Sequence, residues 1–577
     1  MKVSQVVAEI LTEYGVDQVF GVSGGASLHI LKAINDHTHL NLTCLHHEQS
    51  VAMAAEAYSR LSSKLGVGVV TSGPGATNLI TGIAGAYYDS VPVLYLTGQV
   101  STTRMKGERK VRQIGFQETP IVEMVEEITK YAVTVDKPEN LEGELRKAIG
   151  IALAGRKGPV LVDIPDDVQR LDVDYDSELI REFLEFENQN LDPENLQELR
   201  EILLSSSKPI IVCGAGIQMT SKRSKLIEKL HTLNVPTALT WGAKDLISSP
   251  ASFLLGTFGT HGERYVNLAL NEADLILSIG SRLDLKATGT PQSTFAPNAT
   301  KIMIDVDTAE VSKFDDSGLQ ISHSIQLNFE SDEFDRLLQF LEFDEDKVAS
   351  WKEDLLIRRN TFPEESRVFP GSGVNPYTFI EALSDSLTVP SNLLIDTGCA
   401  IAWTMQVWKS KDNQRIFHDF NNTAMGWSIP ATIASMLSDP EKSHICLIGD
   451  GSIMMALSDL STLSSLNGAA KIIILNNSGY GMIKQTQDQW FEGDYFASAS
   501  GVDLVFPSFE KIAEATGFNY LKMTNDEEIS DTLITYLNEQ SPTILEVVVQ
   551  SSARVVPIVK FGNPNHIMEP AVVDSFR

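Results

Sequence analysis

Short, wholly apolar segments alternate with helix-length amphipathic segments along the whole chain, and this alternation limits the folds open to it. Eight of the apolar segments read LGVGVVTSG, VPVLYLTG, GPVLVDIP, KPIIVCGAG, DLILSIGS, KIMIDVD, SHICLIGDG and AKIIILNNSG. Many of them end at glycine. Strands that are apolar on both faces and alternate with helices are typical of parallel sheets covered by helices on both sides. The sequence therefore predicts an α/β protein whose ligands bind beyond the carboxyl ends of its strands.

Two acidic segments, residues 170–197 and 341–369, interrupt this alternation. We interpret them as solvated linkers with a little helix rather than as binding sites for a partner. A chain of 577 residues is also too long for a single core. The prediction is three doubly wound parallel-sheet domains, at residues 1–170, 190–340 and 370–577, of which the first and third could share a topology.

The charge balance excludes several classes of partner. The chain has 46 Lys and Arg against 76 Asp and Glu, a formal net charge of -30, which repels nucleic-acid backbones and anionic lipid surfaces. No apolar run approaches the ~18 residues of a spanning helix, and the N-terminus lacks the pattern of a signal peptide. Four cysteines lie far apart among apolar residues, as buried free thiols do. We therefore expect a cytoplasmic protein that binds neither membrane nor nucleic acid.

The most informative motif lies in the third domain, where polar residues follow two successive strands. One strand ends at Gly449 and is followed by Asp450, with Gly451 and Ser452 in the turn; the next ends at Asn476 and Asn477, with Gly479 in its turn. If the strands are neighbours, the Asp450 and Asn477 oxygens can converge. A carboxylate, a carboxamide and a carbonyl suit Mg²⁺, which leaves its other positions to water and phosphate. The start of the following helix offers N–H groups to the same phosphates.

The spacing from this G-D-G to N-N resembles the thiamin-diphosphate signature. The first-domain segments FGVSGGASLHILKAI, LHHEQSVAMAAEAYSR, VTSGPGATNLITGIAGAYYDSVPVLYLTGQ and GFQETPIV are similar to the pyrimidine-binding domain of the acetolactate synthase group in the thiamin-diphosphate decarboxylase superfamily. Segments of the middle and third domains align in the same order, so the resemblance covers almost the whole chain. It implies a pyrimidine-binding, a middle nucleotide-binding-like and a diphosphate-binding domain, with thiamin diphosphate and Mg²⁺ as cofactors. It also implies a homodimer or homotetramer whose active site lies at the dimer interface.

The resemblance also assigns roles to single residues. Glu48 would hydrogen-bond a pyrimidine nitrogen, which favours the imino tautomer and lets the cofactor act as its own base. Met425 would hold the cofactor in its bent conformation; the alternative is a core-filling side chain. Asp450, Asn477 and Gly479 would bind the metal. The other implied positions are Pro74, Asn78, Gly449, Gly451, Ser452 and Met482 around the cofactor, Gly25, Phe116 and Gln117 beside the reacting carbon, and a C-terminal lid.

Two histidines precede Glu48, which at first suggests a metal cluster or an acid/base pair. Adjacent residues on an extended segment point in alternating directions, so His46, His47 and Glu48 cannot all bind one ion. We therefore interpret the histidines as structural and Glu48 as the functional residue.

The middle domain carries CGAGI, which suggests a nucleotide site. A nicotinamide fingerprint would need glycine where Met219 stands, and SGPGATN in the first domain lacks the Lys-Ser/Thr of a P-loop. The resemblance implies FAD at positions 214–216 and at two later turns, the alternatives being a vestigial nucleotide fold or one that binds ADP. The implied FAD contacts are Gly214, Ala215, Gly216, Arg282 and Asp305.

Several positions depart from the family pattern. Thr486 replaces a tryptophan, Leu285-Lys286 replaces an Asp-Arg pair, Thr260 replaces a methionine, and residues 400–402 replace the G-Q-H side chains near the diphosphate. The resemblance implies decarboxylation of a 2-keto acid, pyruvate, and carboligation of the two-carbon unit onto a carbonyl acceptor. The departures suggest that this acceptor is altered, for example a keto-sugar. The alternatives are a simple decarboxylase, a flavin-linked oxidase, a ring-cleaving diketone hydrolase, or a non-catalytic partner-binding paralogue, against which the intact site residues argue.

Overall fold

The computed structural model describes residues 1–175, 191, 193–249, 251–361, 367–499, 501 and 503–571. Within them lie three six-stranded sheets, and every pair of neighbouring strands in these sheets is parallel. Helices connect the strands throughout. The predicted fold class, α/β with three doubly wound parallel sheets, is confirmed.

The first sheet has the strand order β2-β1-β3-β4-β6-β5. Its central strands β3 and β4 are buried along their whole length, as their continuous apolar sequences require. The strands are β1 (Gln18–Gly21), β2 (Asn41–Cys44), β3 (Gly66–Val70), β4 (Val93–Gln99), β5 (Tyr131–Thr134) and β6 (Val160–Pro165). The helices are α1 (Val3–Glu13), α2 (Leu28–Asp36), α3 (Glu48–Ser62), α4 (Pro74–Asn78), α5 (Ile80–Tyr88), α6 (Ile121–Val125) and α7 (Leu141–Leu153).

The middle sheet has the order β12-β11-β10-β7-β8-β9. The strands are β7 (Pro209–Cys213), β8 (Thr237–Leu239), β9 (Leu254–Thr257), β10 (Leu275–Ile279), β11 (Thr300–Asp305) and β12 (His323–Gln326). The helices are α8 (Pro193–Ser205), α9 (Arg223–Leu233), α10 (Arg264–Glu272), α11 (Leu285–Thr288), α12 (Ala309–Ser312), α13 (Asp332–Phe340) and α14 (Glu345–Thr361).

The third sheet has the order β14-β13-β15-β16-β18-β17, which is the order of the first sheet shifted along the chain. The two outer domains therefore share a topology. The strands are β13 (Ser391–Ile395), β14 (Gln414–Phe417), β15 (Ser443–Gly449), β16 (Lys471–Asn476), β17 (Asn519–Met523) and β18 (Thr543–Val548). The helices are α15 (Pro376–Ser386), α16 (Cys399–Val407), α17 (Ser428–Ser438), α18 (Leu460–Ser465), α19 (Gly481–Trp490), α20 (Phe509–Thr516) and α21 (Ile529–Asn538).

The interpretation of residues 341–369 as a solvated linker is wrong for the part that forms α14. Val348, Trp351 and Leu355 recur at helical spacing on one face of α14 and are buried among side chains of the middle domain. The acidic residues lie between these apolar positions, so the average composition concealed a helix with one buried face. Of the other acidic segment, residues 176–190 and 192 lie outside the described residues.

The first and third domains of one chain pack together through α3 and α17, which share one apolar cluster. The C-terminal segment lies on the middle domain, where the Val559 N–H donates to the Thr260 carbonyl (2.8 Å) and Arg264 Nη1 donates to the Met568 carbonyl (2.8 Å). No helix in the described part of the chain is both long enough and apolar enough to cross a membrane.

Candidate active site

The carboxyl ends of β15 and β16 lie side by side, because Gly449 pairs with Leu475 in neighbouring strands. Asp450 follows β15 and is 1% exposed. Its Oδ2 accepts from the Gly479 N–H (3.0 Å) and its Oδ1 from the Gly451 N–H (2.9 Å). Burial raises the pKa of Asp450 to about 7, although these N–H donors oppose the shift. The carboxylate is thus fixed between the two turns that the sequence predicted would converge.

Asn477 contributes an unused acceptor at the same place. Its Oδ1 is buried and has no hydrogen-bond partner, an arrangement that costs about 1–3 kcal/mol unless a ligand satisfies the oxygen. Among the described residues, no group of three or more His, Cys, Asp or Glu side chains is placed to hold a metal ion. A cation at this point would therefore rely on one carboxylate together with amide and carbonyl oxygens, a donor set that suits Mg²⁺.

Two further features hold this loop in shape. The Lys484 ammonium, on α19, donates to the carbonyls of Asn477 (3.2 Å) and Ser478 (2.9 Å). Gly479 has φ of 144°, and a Cβ there would stand 2.1 Å from the Ser498 carbonyl oxygen, so a larger residue does not fit. Burial lowers the pKa of Lys484, and the charge of Asp450 opposes that shift. Lys484 was not predicted from the sequence. It is a single lysine three residues after the first residue of α19, and nothing in the sequence marks it as a contact of the metal loop.

In the first domain, Glu48 is the first residue of α3 and is half-buried. Asn78, at the end of α4, donates from Nδ2 to Glu48 Oε2 (2.9 Å). The preceding residue His47 caps α3 by accepting from the Gln49 N–H (3.1 Å). The His46 N–H donates to Asp459 Oδ1 (2.8 Å) in the third domain. Both histidines therefore have local structural contacts, and the glutamate and asparagine form a pair.

The residues predicted beside the reacting carbon lie near this pair. Phe116 is 85% exposed, and Gln117 has φ of 64°. A Cβ on Gly73, the residue before α4, would stand 2.9 Å from Gln117 Cβ, so this loop packs against the start of α4. Gly25 is exposed and has open space around it, and Pro74 is the exposed first residue of α4.

Met425 is half-buried and lies in a loop, residues 418–427, that three carboxylates fix. Asp396 accepts from the Gly426 N–H (3.0 Å) and the Ser428 N–H (2.8 Å). Asp419 accepts from the Ala424 N–H (2.8 Å). Asp89 of the first domain accepts from the N–H groups of Phe420 and Asn421. Ser452 and Met482 lie close to the metal loop, at the turn after β15 and at the start of α19.

The buried charged cluster that supports this loop was also missed. Arg60 Nη1 donates to Glu56 Oε1 (3.1 Å) and to the His418 carbonyl (2.7 Å), and Trp427 Nε1 donates to Glu56 Oε2 (2.9 Å). Burial raises the pKa of Glu56 to about 7 despite the nearby guanidinium. In the sequence, Glu56 and Arg60 are an acid and a base four residues apart on an alanine-rich helix. The same spacing is common for ion pairs on helix surfaces, so it did not indicate a buried cluster.

A cleft of about 1090 Å³, counted with its open mouth, separates the middle domain from the first and third. It is lined by Ala215, Gly216, Arg282 and Asp305, four of the five residues at which the resemblance implies FAD. Gly214 does not line the cleft; its position packs against Gly280. Burial raises the pKa of Asp305 to about 6. Arg282 Nε is buried without a hydrogen-bond partner and lies 3.7 Å from Glu310 Oε1, so its charge is paired with that carboxylate.

A smaller pocket adjoins the cleft and shares its residues Thr240, Asp284 and Phe420. The Lys286 ammonium lies 5.8 Å from the Trp241 ring centroid and 5.6 Å from that of Phe420. Burial lowers the pKa of Lys286 and the charge of Asp284 opposes that shift, while the residue as a whole is exposed. Thr260 lines this pocket, whereas Thr486 lies on the exposed face of α19. Residues 400–402 are buried in α16.

Comparison with known proteins agrees with this architecture. The models for the N-terminal TPP binding domain, the central domain and the C-terminal TPP binding domain of thiamine pyrophosphate enzymes match residues 1–124, 196–329 and 396–547. The acetolactate synthase large subunit of Lactococcus lactis subsp. lactis (strain IL1403) is 32% identical over 564 residues, which cover 97% of this chain and 94% of the relative. The chain belongs to the acetolactate synthase family.

Other relatives extend this match. Acetolactate synthase 2, chloroplastic, of Nicotiana tabacum is 31% identical over 578 residues, covering 97% of this chain and 84% of the relative. The acetolactate synthase isozyme 2 large subunit of Escherichia coli (strain K12) is 30% identical over 574 residues, covering 98% and 99%. This acetolactate synthase-like protein is therefore a thiamin-diphosphate-dependent carboligase, thiamine pyrophosphate and thiamin diphosphate being the same compound.

Proposed function

We propose that this enzyme decarboxylates a 2-keto acid, pyruvate, and joins the remaining two-carbon unit to the carbonyl carbon of an acceptor. The single observation that carries the proposal is the pairing of two sets of polar groups: Glu48 with Asn78 in the first domain, and Asp450 with the unsatisfied Asn477 oxygen in the third. Bound thiamin diphosphate would supply the carbon nucleophile and the electron sink that decarboxylation needs.

At the pyrimidine end, the proposed role of Glu48 is to hydrogen-bond a ring nitrogen and hold a proton there. The Asn78 amide fixes one carboxylate oxygen at 2.9 Å and leaves the other oriented toward the start of α4. Gly25 and Gln117 would border the reacting carbon, and the open space at Gly25 leaves room for a substrate. Met425, on its clamped loop, would support the bent cofactor.

At the diphosphate end, Asp450, Asn477 and the Gly479 carbonyl would hold Mg²⁺. Gly449, Gly451 and Ser452 form the turn after β15, and Met482 lies in the first turn of α19. The N–H groups at the start of α19 would bind phosphate oxygens. A bound cation would satisfy the Asn477 oxygen and offset the burial of Asp450. The G-Q-H side chains are absent in this chain, so backbone groups would carry more of the phosphate binding.

The middle domain would hold FAD in the large cleft, with Ala215, Gly216, Arg282 and Asp305 as contacts. In the adjoining pocket, Lys286 is proposed to bind the acceptor's negative charge. The smaller Thr260 leaves room for an acceptor larger than a 2-keto acid, such as a keto-sugar.

The assembly proposed is a homo-oligomer in which the first domain of one subunit faces the third domain of another. The side-chain hydrogen bonds of Glu48 and Asp450 each stay inside their own domain, which supports a site completed by a second chain. The C-terminal segment, already seated beside Thr260, would close over it and exclude water.

Glu48→Gln tests the proposal. With saturating thiamin diphosphate and Mg²⁺, we expect pyruvate consumption to fall by roughly 10²–10⁴-fold, the usual contribution of a positioned acid/base group. Glu123→Gln is the matched control, because Glu123 is an exposed acid in the first turn of another first-domain helix. Products are identified by mass with and without carbonyl acceptors. Equal rates for the Glu48 variant and the wild type would refute the mechanism. If acetaldehyde were the sole product, the enzyme would be a simple decarboxylase, and if acetate were the sole product, it would be an oxidase.

A further inference from the structure

Residues 106–114 of the first domain form a projecting loop, here called the basic finger. Its base is closed by Glu118, whose carboxylate accepts from the N–H groups of Lys106 (2.5 Å), Ile114 (2.8 Å) and Gly115 (3.2 Å). Glu118 is 9% exposed. Burial raises its pKa, but the three N–H donors outweigh burial and hold the pKa below the usual value. One buried carboxylate thus binds both ends of the loop, which gives the finger a defined base.

The tip of the finger is cationic. Arg109, Lys110 and Arg112 are all exposed, and Glu108 is the acid between them and the base. Within the described part of the chain, none of these three cations has an ion-pair or side-chain hydrogen-bond partner. The whole chain has a formal charge of -30, so the finger is a local positive region on a protein that otherwise repels anions.

The finger stands beside the predicted reaction site. Phe116 and Gln117 follow it directly, and Gln117 packs against Gly73 at the start of α4. The same short helix carries Asn78, which bonds Glu48. The cations therefore lie on the loop that leads into Phe116 and Gln117, a position that neither the metal loop nor the flavin cleft accounts for.

We propose that the basic finger binds a phosphate or diphosphate ester carried by the acceptor, at a distance from its reacting carbonyl. The proposal rests on the carboligase function proposed above and names the class of acceptor. Guanidinium groups bind phosphate oxygens in pairs of charge-assisted hydrogen bonds. The phosphate ester is not broken in the reaction: one C–C bond forms, the acceptor carbonyl oxygen takes up a proton, and CO₂ leaves the donor. A small anion is favoured over a polyanion because the surrounding acidic surface repels an extended one.

Matched acceptors that differ only in the phosphate group test the proposal. The pairs are dihydroxyacetone phosphate against dihydroxyacetone, and a nucleoside-diphosphate 4-keto-sugar against the free keto-sugar, each with pyruvate and the holoenzyme. For at least one pair, we expect kcat/KM of the wild type to be roughly tenfold or more higher for the phosphorylated member. Arg109→Gln/Arg112→Gln should remove that preference, Arg109→Lys/Arg112→Lys should retain most of it, and added salt should weaken it.

The control is Lys137→Gln/Lys511→Gln, which removes two positive charges from exposed positions elsewhere and should keep the preference. A wild type that consumes pyruvate but prefers neither phosphorylated acceptor overturns the proposal alone, whereas one that consumes no pyruvate refutes the proposed function. If the finger variant instead dissociates the oligomer, measured by sedimentation velocity, with its acceptor preference unchanged, the finger contacts a second copy and the proposal is wrong.

Discussion

Arg60→Met is expected to destabilise the contact between the first and third domains by about 3–5 kcal/mol at pH 8, the usual cost of removing one partner from a buried ion pair. The Arg60 side chain is 14% exposed and that of Glu56 is 3% exposed. Arg60 also lies 3.9 Å from Asp89, whose carboxylate holds the Met425 loop. Methionine preserves most of the length of the side chain, so the loss comes from the charge and its hydrogen bonds.

The size of the effect should depend on pH. Burial raises the pKa of Glu56 to about 7, and burial together with the charge of Asp89 also raises the pKa of Asp419. Both pKa values lie above those of the unfolded chain, so the folded state binds more protons; for Glu56, stability decreases as the pH rises from about 4 to about 7. For Glu56 this amounts to about 3 kcal/mol, at 1.36 kcal/mol per pKa unit. Without Arg60 the carboxylates are uncompensated at pH 8 but can be neutralised by protonation near pH 6.

Differential scanning calorimetry at pH 6 and pH 8 measures this. For a domain of about 150–250 residues, each kcal/mol shifts Tm by roughly 2–4 °C, so Arg60→Met should lower Tm by roughly 10 °C at pH 8 and by less at pH 6. Lys32→Met, which breaks an exposed ion pair with Asp36, is the control and should change stability by less than about 1 kcal/mol. An Arg60 effect no larger than this control, or one that is larger at pH 6, would refute the reasoning.

Two further predictions concern the metal loop. Asn477→Leu should weaken Mg²⁺ binding to the protein by about tenfold or more, measured by calorimetric titration in the presence of thiamin diphosphate; unchanged affinity would exclude Asn477 as a ligand. Lys484→Met should leave the buried Asn477 carbonyl and the part-buried Ser478 carbonyl without this donor, lower stability by roughly 1–3 kcal/mol and weaken Mg²⁺ binding less than Asn477→Leu does. The control for Lys484→Met is Lys511→Met, at an exposed position in α20. Equal effects of the two lysine variants would show that Lys484 does not hold the metal loop in shape.

Most of the fold was accessible from the sequence because the signal is local. The eight apolar runs named above, many of them ending at glycine, correspond to strands of all three sheets, so the existence of those strands and the parallel fold class follow from local composition. Local composition does not reveal the helix at residues 345–361. Acidic residues lower the average hydropathy of α14, while Trp351 and Leu355 are buried; only the spacing of the apolar positions distinguishes such a helix from a linker.

In the candidate site, too, the contacts that follow from local sequence could be predicted and the long-range contacts could not. Asp450 and Asn477 could be predicted to converge because each follows a strand and parallel strands end at one edge. The contacts of Asp89 with Phe420 and Asn421 join residues more than 300 positions apart, and no local pattern indicates such a pair. The basic finger is intermediate: its charges are visible in the sequence, but the closure of its base by Glu118 is a property of the three-dimensional structure.

Helix α3 connects the two halves of the proposed site within one chain. It begins at Glu48, and about two and three turns further along, respectively, Glu56 and Arg60 contact Trp427 and the His418 carbonyl at the two ends of the Met425 loop. Because a helix is stiff over this distance of roughly 12–18 Å, a displacement at Arg60 is passed to both the glutamate and the loop. If the site is completed by a second subunit, Glu48 and Met425 of one chain serve different active sites. A change at Arg60 would then weaken cofactor binding in both of them, without contacting either cofactor.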